Sequence, residues 1–182
     1  VSKILLDNGI SIYYKPHGLK KAICYQNIYG TLCERAEFEN KKEPYIDYGD
    51  YGWEGEAKKQ DCENEEQVKR YFLRMGIHLF LAYALSASDL HGENFLACGE
   101  YPVLLDFETL PGYAAVADGE AVDKQISNYI NSSVLKTGIL PELIWGGDGA
   151  IVSALSTGAA VRTPFRMPVI KNQGTSEMYI EH

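Results

Sequence analysis

The sequence predicts an α+β fold, and three observations carry that expectation. Residues 1–15 and 95–106 each place β-forming residues on both sides of a glycine-containing turn. Residues 64–85 carry apolar side chains at helical spacing. Hydrophobic residues make up 46% and charged residues 23% of the 182, enough apolar material for one ordinary domain or two small lobes.

Ile4-Leu5-Leu6, Asp7-Asn8-Gly9 and Ile10-Ser11-Ile12-Tyr13-Tyr14-Lys15 read as a β-hairpin. An Asn-Gly pair favours a type I′ turn, in which both central residues have positive φ. Along the second strand Ile10, Ile12 and Tyr14 share one face, and Ser11, Tyr13 and Lys15 share the other. Pro16 lacks an N–H and ends the ladder. Residues 18–36 are expected as a helix whose apolar positions are Leu19, Ile23, Ile28 and Leu32. Residues 37–63 are polar and interrupted by Pro44, Gly49, Gly52 and Gly55, and read as a loop or hinge.

From residue 64 a second helix is clearer. Asn64 is suited to cap it, with Gln67 three positions on as in a capping box. Val68, Tyr71, Phe72, Met75, Leu79 and Ala82 follow helical spacing, and the run from Ile77 to Leu85, broken only by His78, predicts a buried second half. Phe95–Cys98, Gly99-Glu100 and Pro102–Asp106 then form a second predicted hairpin. Beyond Asp106 the pattern fades, leaving short apolar runs at 139–145 and 150–155.

Composition narrows function. The net charge is −8 and the pI about 5.0, which argues against holding a nucleic-acid phosphate backbone. No stretch of about 18 apolar residues predicts a transmembrane helix. The opening VSKILLDNGISIYY lacks the long apolar core of a signal peptide, and its Val1 start reads as a fragment. Cys24, Cys33, Cys62 and Cys98 show no zinc-ligand spacing and are expected as reduced thiols of a cytoplasmic protein.

The segment with chemical content is Ser88-Asp89-Leu90-His91-Gly92-Glu93-Asn94, followed by the hairpin and Asp106-Phe107-Glu108. Asp89, an Asn five positions later and an Asp twelve beyond that reproduce the order used for phosphoryl transfer. The first Asp orients or deprotonates an acceptor hydroxyl, and the Asn and second Asp hold Mg2+ against ATP phosphates. Lys15, at the end of a strand, suits contact with those phosphates, and Glu34 and Glu37 on the following helix are candidate partners for it.

Taken singly, each residue has a plainer reading. Asp89 could punctuate a helix end, His91 and Asn94 could serve turns, Asp106 could cap a strand, and Lys15 could be a solvated lysine. The ordered set is far rarer than its members. His91, Glu93 and Asp106 are weak as a transition-metal site, and a serine hydrolase would need Gly-x-Ser-x-Gly, which is absent. The acidic run Glu54–Glu66 reads as a solvated face, and Trp53 and Trp145 as packing.

Tyr14-Lys15-Pro16, Tyr51-Gly52-Trp53-Glu54 and SDLHGENFLACGEYPVLLDFETL from Ser88 to Leu110 together resemble the dehydratase domain of type II lanthipeptide synthetases, the LanM family. Ser133 to Pro141, Ser153 to Ser156 and Asn172 to Met178 follow the same pattern more weakly. The resemblance implies a partial lipid-kinase-like bilobal fold, with residues 1–55 a hairpin-and-helix N-lobe remnant plus hinge. Residues 56–182 would be a helical C-lobe carrying the catalytic-loop hairpin.

It further implies ATP- and Mg2+-dependent phosphorylation of Ser and Thr in a leader-bearing precursor peptide, then phosphate elimination to dehydroalanine and dehydrobutyrine. Lys15 would touch phosphate and serve elimination, Asp89 and His91 would be the catalytic-loop pair, and Asn94, Asp106 and Glu108 would be the metal-side residues. The family's Arg and Thr for elimination, and its zinc-containing cyclase domain, would belong to the remainder of a parent synthetase. The competing expectations are a small-molecule phosphotransferase similar to aminoglycoside or choline kinases, and a noncatalytic peptide-binding fragment.

Overall fold

A computed structural model describes residues 1–113, 122–141, 153–155, 169–172 and 177–181. It is mixed α and β, with small antiparallel sheets. In chain order the elements are β1 (Ser2–Leu5), β2 (Ser11–Lys15), α1 (Lys20–Arg35), β3 (Tyr45–Asp47), β4 (Gly52–Gly55), α2 (Glu65–Ala84), β5 (Phe95–Cys98), β6 (Tyr101–Leu104), α3 (Val122–Ser132), β7 (Val169–Lys171) and β8 (Tyr179–Glu181). Short 3-10 turns cover Gly92–Asn94 and Val134–Thr137. Trp145, Ser156 and residues 173–176 of the matched pattern lie outside the described residues. Among the described residues no helix is long and apolar enough to cross a membrane.

The first hairpin forms with a different turn from the one predicted. Gly9 has φ +79 but Asn8 does not have positive φ, and Gly9 N–H donates to the Leu6 carbonyl at 2.9 Å. This is a three-residue loop closed by glycine in the left-handed region, and the Asn8 side chain accepts from Ile10 N–H at 3.0 Å instead of adopting positive φ.

The predicted loop over 37–63 holds two strands. β4 pairs antiparallel with both β2 and β3, giving a four-stranded sheet in the order β1-β2-β4-β3. These strands are three and four residues long, too short for alternation to register, and β4 begins and ends on glycine. Gly52 has a packing reason: a Cβ there would lie 2.6 Å from Leu19 Cδ1, so α1 begins directly against β4. The Leu19 N–H at that start donates to Asp47 Oδ1 at 2.7 Å, a cap supplied by β3.

Asn64 caps α2 as expected, accepting from Gln67 N–H at 3.0 Å. Gln67 Oε1 reaches past the cap and accepts from Glu63 N–H at 2.8 Å. Within α1 the buried stripe is Ala22, Tyr25, Tyr29 and Cys33, whereas Ile28 is exposed. Within α2 it is Arg74, Met75, His78, Leu81 and Ala82. Val68 and Phe72 are exposed in its first half and Phe80 and Tyr83 in its second, so α2 is buried along one stripe only, its second half included. α3 lies where the sequence pattern has faded; its Val122, Ile126 and Tyr129 are exposed.

The two helix stripes meet Phe95 and Leu104 of the second hairpin around His78. The ring stacks on Tyr29 at 4.0 Å between centroids and meets the edge of Phe95 at 5.2 Å. His78 Nε2 lies 3.1 Å from the Pro102 carbonyl, which can only accept, so Nε2 carries the proton and Nδ1 accepts from the Tyr25 hydroxyl at 2.8 Å. Burial pushes the imidazole down to about 3.

The unfolded chain therefore binds this proton near pH 6.5, and the folded chain only near 3. The stability given by the neutral ring is complete above about pH 6.5 and is lost as pH falls toward 3. At pH 5 the expected loss is about 2 kcal/mol. Urea midpoints at pH 7 and pH 5 measure it, and a His78→Phe variant should show a flatter dependence across that window. The same slope in the variant would remove His78 as its source.

Candidate functional site

The cross-strand register builds the first part of the site. Tyr13 stands opposite Glu54, so Lys15, two residues along β2 on the same face, is Glu54's diagonal neighbour. Lys15 Nζ lies 3.0 Å from Glu54 Oε2, with the two side chains 18% and 7% exposed. This corrects two expectations. Glu34 and Glu37 are exposed on and after α1, and the cross-strand Glu54 is the carboxylate at Lys15. Glu54 is also no part of a solvated acidic face, being buried within β4. Burial pushes its carboxyl up from the ordinary range, outweighing the attraction of Lys15. On the opposite face Trp53 packs edge-on against Tyr14, with ring centroids 5.3 Å apart.

Lys15 and Glu54 open into a cleft of about 500 Å3. Gly18 and Lys20 line it where the chain enters α1, and Asp106 and Glu108 line it just beyond β6. Gly18 is required there: a Cβ would fall 2.2 Å from the Gly49 carbonyl oxygen. Asp106 Oδ1 accepts from Glu108 N–H at 2.9 Å, which fixes the turn after β6. Lys21 Nζ reaches the Glu108 carbonyl at 3.4 Å, tying α1 to that turn.

Asp89, His91 and Asn94 stand apart from the walls of this cleft, on the segment between α2 and β5. Asp89 has φ +61 and an exposed side chain, 3.9 Å from His91 Nε2. Leu90 between them is fully buried. His91 Nδ1 accepts from Glu93 N–H at 3.3 Å. Asn94 is drawn toward the cleft by its backbone, its carbonyl accepting from Leu105 N–H at 2.8 Å, one residue before Asp106. The structure thus gathers Lys15, Asp106 and Glu108 at one cleft and places Asn94 beside its edge.

Among the described residues no three His, Cys, Asp or Glu side chains cluster to hold a metal. Asn94, Asp106 and Glu108 offer oxygen donors only, the set that suits Mg2+, which takes few protein ligands and completes its shell with water and phosphate. Cys24, Cys33, Cys62 and Cys98 are all free thiols.

A family model described as "Domain of unknown function (DUF4135)" matches residues 1–182. The chain is also 30% identical over 159 residues to the lacticin 481/lactococcin biosynthesis protein LcnDR2 of Lactococcus lactis subsp. lactis. That alignment covers 79% of this chain and 17% of the relative, so the chain spans about a sixth of the relative's length.

Proposed function

The chain belongs to the DUF4135 family, borne by the LanM-type lanthipeptide synthetases that its motifs resemble, and from that premise we propose that it forms the phosphoryl-transfer site of a lanthipeptide dehydratase. The substrate is a leader-bearing precursor peptide, and the donor is ATP. The fold is read as lipid-kinase-like, with residues 1–55 and 56–182 contributing to two lobes. The observation that carries the reading is the single cleft faced by Lys15 with Glu54 on one side and by Asp106 with Glu108 on the other.

In this reading Lys15 holds the phosphates from the sheet side. Mg2+, held by Asn94, Asp106 and Glu108, would neutralise charge on the transferred phosphoryl group. Asp89, with His91 next to it on the same loop, accepts the Ser or Thr hydroxyl proton as that oxygen bonds to phosphorus and ADP departs. Phosphorylation converts a poor leaving group into a good one. Transfer of the α-proton to a general base then forms the Cα–Cβ double bond as the Cβ–O bond breaks and phosphate leaves, with Lys15 stabilising the departing charge. The cyclase step, in which Cys thiols add to the alkenes, belongs to a zinc-containing domain elsewhere in the synthetase.

The test is mass spectrometry of a Ser/Thr-rich precursor peptide incubated with the full-length enzyme, ATP and Mg2+, beside an Asp89→Asn variant. Water losses from the peptide that vanish in the variant are expected. An untouched peptide, with phosphate transferred to a small molecule instead, would favour an aminoglycoside- or choline-kinase-like enzyme. No Mg2+-dependent ATP binding at all would leave only a noncatalytic peptide-binding role.

A further inference from the structure

We infer that the Thr137-Gly138 segment, distant in sequence, is the positioning element that fixes where Asp89 stands. The inference rests on the proposed role of Asp89 as the group that takes the acceptor proton. The Asp89 side chain is 77% exposed, and His91 Nε2 at 3.9 Å is its one ionic neighbour among the described residues. Little at the carboxylate itself can therefore set its position, and the backbone must. That backbone is unusual, with φ +61 at a residue that has a Cβ.

The restraint lies on the next residue. Leu90 is fully buried, and its N–H donates to the Thr137 carbonyl at 2.8 Å. Gly138 follows with φ +77, and a Cβ there would lie 3.1 Å from Leu90 N, 3.4 Å from Leu90 C and 3.6 Å from Asp89 C. The two segments touch backbone to backbone, and a side chain at position 138 would push the Leu90 backbone aside by a few tenths of an ångström.

The support is itself anchored. Thr137 is 1% exposed; its hydroxyl donates to the Val134 carbonyl at 2.8 Å and accepts from Ile139 N–H at 3.3 Å. Ile139 is fully buried. The Gly138 and Ile139 carbonyls accept from Ala154 and Leu155 N–H at 3.2 and 3.3 Å. A hydrogen-bonded strip anchored by the buried Thr137 and Ile139 thus lies against the peptide unit that carries Asp89. The SVLKTGILP stretch accordingly holds the loop without supplying a reacting group.

Two substitutions at Gly138 separate contact from conformation. Gly138→Ala adds a Cβ against Leu90 and places an unfavourable residue at positive φ. Gly138→Asn adds the same Cβ but tolerates the left-handed region. If contact with the Asp89–Leu90 peptide matters, both variants of the full-length enzyme should lower kcat for peptide phosphorylation about tenfold, since small misplacements of a reacting group are costly. KM for ATP and the affinity for ADP should stay at wild-type values, because Lys15 and Asp106 are untouched.

Wild-type kcat in Gly138→Asn would overturn the inference by showing that only the turn conformation counts. Loss of ADP binding or of the folded state in both variants would overturn it too, since the strip would then support the whole domain. Asp89→Asn run in parallel separates the two levels. If that variant keeps its activity, the role of Asp89 falls; if it is inactive while both Gly138 variants are normal, only the positioning role falls.

Discussion

Replacing Arg74 by Met should destabilise the domain by about 2–4 kcal/mol, the scale for leaving two backbone carbonyls and part of a carboxylate without their donor. The Arg74 side chain is 3% exposed within α2. Its Nε and Nη2 donate to the Glu39 carbonyl at 3.3 and 3.1 Å, and Nη1 donates to the Glu100 carbonyl at 3.2 Å and to Glu100 Oε2 at 2.7 Å. Tyr101 stacks under the guanidinium at 4.4 Å from its centroid. One side chain thus ties the segment after α1, the centre of α2 and the β5–β6 turn together. Met fills the volume but leaves two carbonyls and part of a carboxylate without donors. Arg74→Lys should also lose stability, because an ammonium cannot span that fork. Denaturant unfolding with far-ultraviolet circular dichroism measures the effect. A change below about 1 kcal/mol would show that water replaces the guanidinium without cost.

Glu100 adds an acid-side dependence to the same cluster. Arg70 and Arg74 hold its carboxyl below the ordinary range. A depressed carboxylate contributes stability that is present above its unfolded value, near 4.5, and is lost as pH falls through the folded one. His78 loses its contribution in the same direction but from a higher starting pH, so acid destabilisation should begin at the histidine, with this carboxylate adding to it below about pH 4.5.

The parts of this fold legible in the sequence are those whose pattern is local. Both hairpins are legible because β-forming residues flank Asn8-Gly9 and Gly99-Glu100, and the Asn64 cap because capping needs only residues within one turn. The buried stripe of α1 is hidden because Tyr25, Tyr29 and Cys33 carry it, while the more apolar Ile28 faces out. β3 and β4 are hidden because each spans fewer than five residues, and the glycines of β4 serve close packing, Gly52 against Leu19 and Gly55 against Pro44.

For the candidate site, the order of Asp89, His91, Asn94 and Asp106 is written along the chain. Glu54 as partner of Lys15 is not, because the pairing exists only through the register between β2 and β4. The signal in the sequence is Glu54 itself, a charged residue following Trp53 in a four-residue strand. The support of Leu90 by Thr137 is equally nonlocal, a backbone bond across 47 positions that leaves no trace in residue type.

Replacing Lys15 by Met should reduce phosphoryl transfer about a hundredfold or more, the scale for removing one preorganised charge at a reacting phosphate. Replacing Glu54 by Gln should do less, about tenfold, because the cation remains but loses the carboxylate that holds it 3.0 Å away. Stability should move the opposite way. The Glu54 carboxyl is raised by burial even with Lys15 beside it, so the folded chain binds this proton more tightly than the unfolded one. For a raised carboxyl, ionisation costs folded stability as pH climbs through its folded value, and that cost is complete at neutral pH. Gln mimics the neutral form and removes the cost, while Lys15, which opens into the cleft, keeps access to water. Glu54→Gln should therefore melt at or slightly above the wild type at pH 7, with no such gain near pH 4, while its transfer rate falls. Lys15→Met leaves Glu54 buried without its cation and should be less stable at pH 7 than at pH 5, once the His78 contribution common to wild type and variant is subtracted. A cross-strand pair that served packing alone would show the reverse for Glu54→Gln, lower melting with unchanged transfer. Measuring both quantities on one variant therefore decides whether the burial of this ion pair serves the cleft or the sheet.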